Sequence, residues 1–271
     1  VELMKMGEPG VPEMNAYIEE VLKEGETLGF DGRVVSVGEG EGYAAIAGKK
    51  NAKVNYQVDL INEIWEDRPV LSEEPAFNLD VKYAGETVAS KLARIREEMK
   101  EAGTNVHVVS TIDDICWTLN IRGNDIDFFP LVLSYGIITM YSFELYIDEK
   151  KLDDKLKAKL EKDGVNLHPY NDIYEDVKKF GSDVVAMIDP GKLNYALFNN
   201  IPENVKTVEK RNPAILMKAI KNPVEIENIR KAQIKDSVAH VRFMKWLKEN
   251  VGKMRITEMS ASDKLDEFRA E

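Results

Sequence analysis

Apolar residues first recur at helical spacing at Met14, Tyr17, Ile18, Val21 and Leu22, which predicts a helix over 12–24 stopped by Gly25. The runs GFDGRVVSV (29–37) and AKVNYQV (52–58) then read as short strands on either side of a glycine-rich helix or loop at Gly38–Gly48. DLINEIW (59–65) predicts one or two helical turns that end at Asp67-Arg68-Pro69. The stretch 66–81 carries two prolines and several acids and reads as a linker.

The pattern changes near Tyr83. Val88, Leu92, Ile95 and Met99 mark one face of a helix over 87–102, ended by Gly103. VHVVS (106–110) is a strand, and 111–119 a short helix with Thr111 in the N-cap position. Residues 131–140 and 143–148 read as strands of a hairpin turning near Tyr141-Ser142. A charged amphipathic helix over 151–163 follows, then VNLHPY as a strand, a helix over 171–179, VVAMID as a strand and a helix over 192–199. TVEK (207–210) closes the series as an edge strand. Such alternation predicts an α/β unit with a mixed sheet. From Asn222-Pro223 with Glu225, a long helix runs to about Asn250, with Ile226, Ile229, Ile234, Val238, Val241, Met244 and Leu247 along one face. Past Gly252, Thr257 caps a second helix toward Phe268. Two helices cannot close a core of their own, so this last piece is expected to be cut short or docked on the unit before it.

Composition narrows the function. At 271 residues the chain exceeds one average domain, and its 44% hydrophobic content suffices for real cores. A net charge of −11 disfavours phosphate backbones, so no nucleic-acid partner is expected. No apolar run is long enough to span a bilayer, and VELMKMGEPG lacks the long apolar stretch of a signal peptide, so no membrane partner and a cytoplasmic location are expected. The single cysteine, Cys116, permits no intrachain disulfide and reads as a buried core thiol. Val1–Met6 resembles the tail of an element already under way, which suggests a start partway through a longer protein.

Chemistry-bearing motifs are sparse. None of His107, His168 and His240 has a partner at metal-ligand spacing. Asp113 and Asp114 are adjacent on a helix and should face different directions, as helix-start charges rather than a metal pair. Gly38, Gly40 and Gly42 have the wrong spacing for a phosphate loop, and Ser134, Ser142 and Ser260 lack a nucleophile elbow. The corner Arg122-Gly123-Asn124-Asp125 has two readings. In one it is a turn, with Gly123 at positive φ and Asp125 capping or pairing with Arg122. In the other, Arg122, Asn124 and Asp125 lie on the rim of a substrate cleft, where the guanidinium would grip a peptide carboxylate in bidentate fashion.

The same region carries a family resemblance. DDICWTLNIRGNDIDFFPLVLSYGIIT (113–139) resembles the middle-domain signature of the three-domain Xaa-Pro aminopeptidases, pita-bread metallopeptidases related to prolidase and creatinase. LMKMG (3–7), WEDRP (65–69), YAGETVASKLARIR (83–96), NYALFNNIP (194–202), AIKNPVEIENIRKAQIKDSVA (219–239) and ITEMSASDKLDEFR (256–269) agree in order. The resemblance implies creatinase-like mixed-sheet domains with flanking helices. It places a partial N-terminal domain at 1–80, a middle domain at 81–215 and the opening helices of a truncated pita-bread catalytic domain at 216–271.

It also implies removal of the N-terminal residue from peptides with proline in second position, by two divalent ions, manganese in most of the family, that bridge an attacking hydroxide. The implied ligands, two Asp, one His and two Glu, all follow the FR of ITEMSASDKLDEFR. None is therefore expected in this chain, and Glu258, Asp263, Asp266 and Glu267 receive no catalytic role. The chain alone is expected to be inactive. A homodimer is also expected. The alternative is a module without catalysis, serving dimerisation or substrate gating, or binding proline peptides, with Ile229 and Phe243 on uncovered apolar helical faces.

Overall fold

The computed structural model describes residues 3–271. Contacts group these residues into two compact units. One runs to Leu79 and resumes over Val88–Ala219; the other joins Asp80–Thr87 to Ile220–Glu271.

The first unit opens with α1 (Met14–Val21), β1 (Thr27–Gly29), α2 (Val37–Lys49), β2 (Lys53–Asn55) and α3 (Leu60–Ile64). β1 and β2 pair in parallel, and Leu22, Ile46 and Ala47 form a small core beside them. The strand expected over 29–37 stops at Gly29. Asp31 accepts hydrogen bonds from the backbone and guanidinium of Arg33 and folds that segment into a turn. Ser36 then starts α2 with a capping box, its hydroxyl accepting from Glu39 N while the Glu39 carboxylate accepts from Ser36 N. The glycine-rich stretch is therefore helical. Gly40 is needed there because a Cβ would lie 2.2 Å from the Tyr195 ring.

Residues 65–76 hold no helix or strand. β3 (Phe77–Asn78) then pairs antiparallel with β5 (Ile121–Arg122). The main sheet is built from β4 (Val106–Val109), β6 (Ser134–Thr139), β7 (Phe143–Ile147), β8 (Val165–His168), β9 (Val185–Ile188) and β10 (Lys206–Glu209). Its order is β10-β9-β4-β6-β7-β8, with β10, β9 and β4 parallel, β6 antiparallel to β4 and β7, and β7 parallel to β8. This is the mixed sheet that the alternation predicts, with β10 at an edge.

Side chains alternate between its faces as strand geometry requires. Val109, Ile138, Phe143, Leu145 and Met187 pack with α5 (Val88–Glu101), α6 (Ile112–Leu119) and α7 (Asp154–Lys162). Val106, Val108, Ile137, Tyr146, Ala186 and Ile188 pack with α8 (Ile173–Asp176) and α9 (Tyr195–Asn199). The helix expected over 171–179 is broken into one α turn between two 3-10 turns, and α10 (Pro213–Ala219) ends the unit.

The second unit holds α4 (Val81–Ala84), α11 (Pro223–Asn250) and α12 (Glu258–Ala270). Asn222 caps α11 through Val224 N and Glu225 N and also donates to Ala84 O. Thr257 caps α12 as expected, and Arg269 on α12 reaches Asp236 on α11 at 2.8 Å. The apolar face of α11 is largely open: Ile229, Ile234 and Val241 are 51%, 67% and 69% exposed. Phe243 departs from the expectation of an uncovered face, being half-buried and stacked on Trp246.

Candidate functional site

The Arg122–Asp125 corner is built from α6 and the strand after it. Asn120 ends α6 in the left-handed region at φ 52°. Its side-chain oxygen accepts from Lys91 Nζ, which also donates to Trp117 O and lies 4.4 Å from the centroid of the Trp117 ring. Arg122 donates from Nη1 to the carbonyls of Cys116 and Ile121, both at 2.8 Å. Asn124 is exposed. The Asp125 carboxylate accepts from Leu133 N at 2.7 Å and pairs with Lys151, their side chains only 1% and 2% exposed, while its Oδ1 has no hydrogen-bond partner. The turn reading thus changes in two details. Asp125 pairs with Lys151 rather than Arg122, and Gly123 is needed not for positive φ but because a Cβ would lie 2.7 Å from Val132 Cγ2.

Leu133 and Lys151 lead from this corner into a cavity of about 490 Å³. It shares Leu71, Tyr170 and Asn171 with a second hollow of about 520 Å³, so the two form one trough. Where they meet, three tyrosines cluster. The rings of Tyr135 and Tyr170 pack at a tilt, with centroids 5.0 Å apart and planes at 34°. Tyr174 stands edge-on to Tyr135 at 5.9 Å, and the hydroxyls of those two are 3.1 Å apart. Asn194 donates to the Tyr174 hydroxyl and Asn200 to its carbonyl, which fixes the cluster from behind. Burial pushes the Tyr135 and Tyr170 hydroxyl pKa values above the ordinary range, and the Tyr135 hydroxyl is shared with those of its two neighbours.

One wall of the trough is an ionic chain. Arg33 grips Asp31 through Nε at 3.0 Å and Nη2 at 2.7 Å and reaches Asp59 at 3.0 Å, while Arg68 meets the same Asp59 oxygen at 2.7 Å. Burial alone would raise the Asp31 pKa, but the Arg33 hydrogen bonds outweigh it and hold the group below the ordinary carboxylate value. The hydrogen bond from Arg68 lowers Asp59 likewise. Two arginines and two aspartates therefore form a neutral, pre-ordered wall. The other hollow is lined by Asp148, Glu149, Asp172 and Lys151, with Glu149 paired to Lys157 at 3.5 Å and Lys151 paired with Asp125.

A second polar cluster lies at the start of α6. Asp113 and Asp114 lie in the first turn of α6 as expected, one side chain 44% and the other 2% exposed, yet Lys218 on α10 binds both carboxylates. Asp114 is buried and also accepts from Thr111 Oγ1 and Asn212 Nδ2. Thr111 occupies the N-cap position, but its hydroxyl serves that carboxylate and makes no capping bond. Asn212 Oδ1 in turn meets buried His107 Nε2, and His107 Nδ1 meets Met187 O. His168 contacts Glu144 at 2.7 Å and stacks on Tyr146. His240 is exposed on α11. Ser134 donates to Val132 O, Ser142 to the Glu144 carboxylate, and Ser260 belongs to the α12 cap.

Among the described residues, no group of three or more His, Cys, Asp or Glu could hold a metal ion. The donors present do not fit a metal pair. Among them, too, no helix is long and apolar enough to cross a membrane. Sequence spacing does not link Tyr135 to Tyr170, which lies 35 residues later. The sole hint was the i, i+4 pair Tyr170 and Tyr174 in HPYNDIY.

A family model of the creatinase/prolidase N-terminal domain matches residues 67–225. The probable Xaa-Pro aminopeptidase P of Sordaria macrospora is 32% identical over 290 residues, covering 99% of this chain and 46% of its own length. Xaa-Pro aminopeptidase app-1 of Caenorhabditis elegans is 32% identical over 277 residues, covering 99% and 45%. The crystal structure of the X-prolyl aminopeptidase from C. elegans, described as a cytosolic enzyme with a di-nuclear active site, superposes with a TM-score of 0.92 at 30% identity, over 99% of this chain and 45% of that one. The chain thus spans under half the length of the curated relatives it matches.

Proposed function

The chain belongs to the creatinase/prolidase N-terminal domain family, and on that premise we propose that it is the non-catalytic N-terminal and middle portion of an Xaa-Pro aminopeptidase. The parent removes the first residue from peptides whose second residue is proline. In this reading the parent divides at 1–80, 81–215 and 216–271, works in the cytoplasm as a homodimer, and holds two divalent ions, manganese by resemblance, with ligands outside these residues. The observation that carries the reading is the match of nearly the whole chain to Xaa-Pro aminopeptidases more than twice its length. The trough and the Arg122–Asp125 corner then serve substrate positioning rather than bond cleavage, with exposed Asn124 the corner residue best placed to meet a peptide.

The test is an assay of Arg-Pro-Pro hydrolysis by the 271-residue chain with added manganese. No release of arginine is expected; manganese-dependent cleavage would overturn the proposal. The open face of α11, with Ile229, Ile234 and Val241 exposed, favours a second role in self-association. Sedimentation that shows a clean monomer at high concentration would count against that role.

A further inference from the structure

We propose that Pro69–Ser72 is a strap that closes onto the trough and plugs the cavity of about 490 Å³ with the Leu71 side chain, so that this surface is blocked from within the chain. The proposal rests on the placement of this segment and is independent of the peptidase reading above.

The segment is held at both ends and free between them. At one end Arg68 binds Asp59 at 2.7 Å, and its guanidinium lies 5.9 Å from the centroid of the Trp65 ring. At the other, Ala76 N donates to Lys151 O at 2.8 Å, and Glu73 pairs with Lys150. Among the described residues, no hydrogen bond from another segment reaches the backbone of Pro69, Val70, Leu71 or Ser72. Movement of these four residues therefore breaks no hydrogen bond to the rest of the fold, which is the condition for a low-cost local rearrangement. Pro69 and Pro75 have a fixed φ, so the motion is confined to the residues between them.

The driving force is the position of two aliphatic side chains. Val70 and Leu71 are 89% and 62% exposed. Leu71 borders both hollows, and the first of them has Leu133, Ile147, Pro169 and the Tyr170 ring on its walls. An inward rotation of the strap carries Leu71 out of water and onto those side chains, and the apolar surface it loses favours the closed position.

The ion pair between Glu73 and Lys150 is the latch. Lys150 sits in the 3-10 turn Glu149–Lys151, whose other two residues border the cavity, so the pair ties the end of the strap to the rim. Both side chains are more than half exposed, and such a pair is weak and easily released. While it is made, the strap stands open. Its loss frees Glu73 to follow Leu71 inward.

The experiment is methyl NMR of the full 271-residue chain with labelled leucine and valine, in the presence of a soluble gadolinium chelate that broadens exposed methyl groups. Val34, 79% exposed in the same unit, is the reference. In Lys150→Gln the broadening of the Leu71 methyls should fall about twofold while that of Val34 stays the same, because the latch is gone and Leu71 spends more time in the cavity. Adding Leu133→Ser to this variant makes the wall polar and should return Leu71 to its wild-type broadening.

Unchanged or increased broadening of Leu71 in Lys150→Gln would overturn the strap. So would a fall that survives Leu133→Ser, since Leu71 would then be covered by something other than this cavity. Lys150 lies on the surface, so its replacement leaves the fold intact and the first comparison decides by itself. No outcome involves cleavage, and the peptidase reading stands or falls separately on its own assay.

Discussion

β4 and α11 are held in place by opposite means. All four residues of β4 are buried, and each pairs with a strand on at least one side. In the 28 residues of α11 only Ala239 is buried. β4 persists because long-range partners surround it. α11 depends on its own ladder, on the Asn222 cap and on α12, through contacts such as Arg242 over the Phe268 ring at 4.8 Å. The lesson is that a regular element says little about how much stability it carries. The sheet unit should unfold as a cooperative body, whereas the helical pair should respond to local changes at its ends and surface.

The contrast can be broken most forcefully at the buried pair behind the trough. Lys151→Met leaves Asp125 charged, buried and unpaired, and should destabilise the sheet unit by about 3–5 kcal/mol in urea unfolding. Replacing both residues with apolar ones should recover most of that loss. A double variant no better than the single one would show that the pair's hydrogen bond to Leu133 N, not its charge, matters most.

A smaller effect comes from His107. Burial pushes its pKa below the ordinary value, while the oxygens of Met187 and Asn212 pull the other way. Since the unfolded chain then binds a proton more readily than the folded one, this residue's contribution is intact above the unfolded value near 6.5 and is lost as pH falls below it. The expected slope is at most about 1.4 kcal/mol per pH unit, and it should be missing in His107→Gln. The smallest change is at the helical unit. Asn222→Ala removes acceptors for Val224 N and Glu225 N and should cost about 0.5–2 kcal/mol. Helical circular dichroism should register it while the sheet transition stays in place.

How far these features could be read in advance depends on how local they are. The α5 stripe, the hairpin around Tyr141 and the Asn222 start of α11 rest on periodicity, turn and cap chemistry within a few residues, and all three form as expected. The strand over 29–37 fails because Asp31 and Arg33 make a turn that β-propensity alone does not register. The apolar spacing of α11 was legible and so was its open face at Ile229, but not the partial cover of Phe243, because burial depends on what packs against a helix rather than on the stripe itself. The corner was visible as unusual, yet its partner Lys151 lies 26 residues away on a 3-10 turn, where no spacing rule points. The trough was the least legible feature, since it joins Arg33, Tyr135 and Tyr170 from three distant segments.

Cys116 makes the opening of the sheet unit measurable. Its thiol is fully buried in α6, accepts a weak hydrogen bond from Val132 N, and is pushed by burial up to about 11. At neutral pH it is therefore both shielded and protonated, and a thiol reagent can reach it only when the packing around α6 comes apart. Because the chain holds no other cysteine, each labelled molecule reports one such event, and the rate of mass gain under native conditions becomes a clock for how often this core opens.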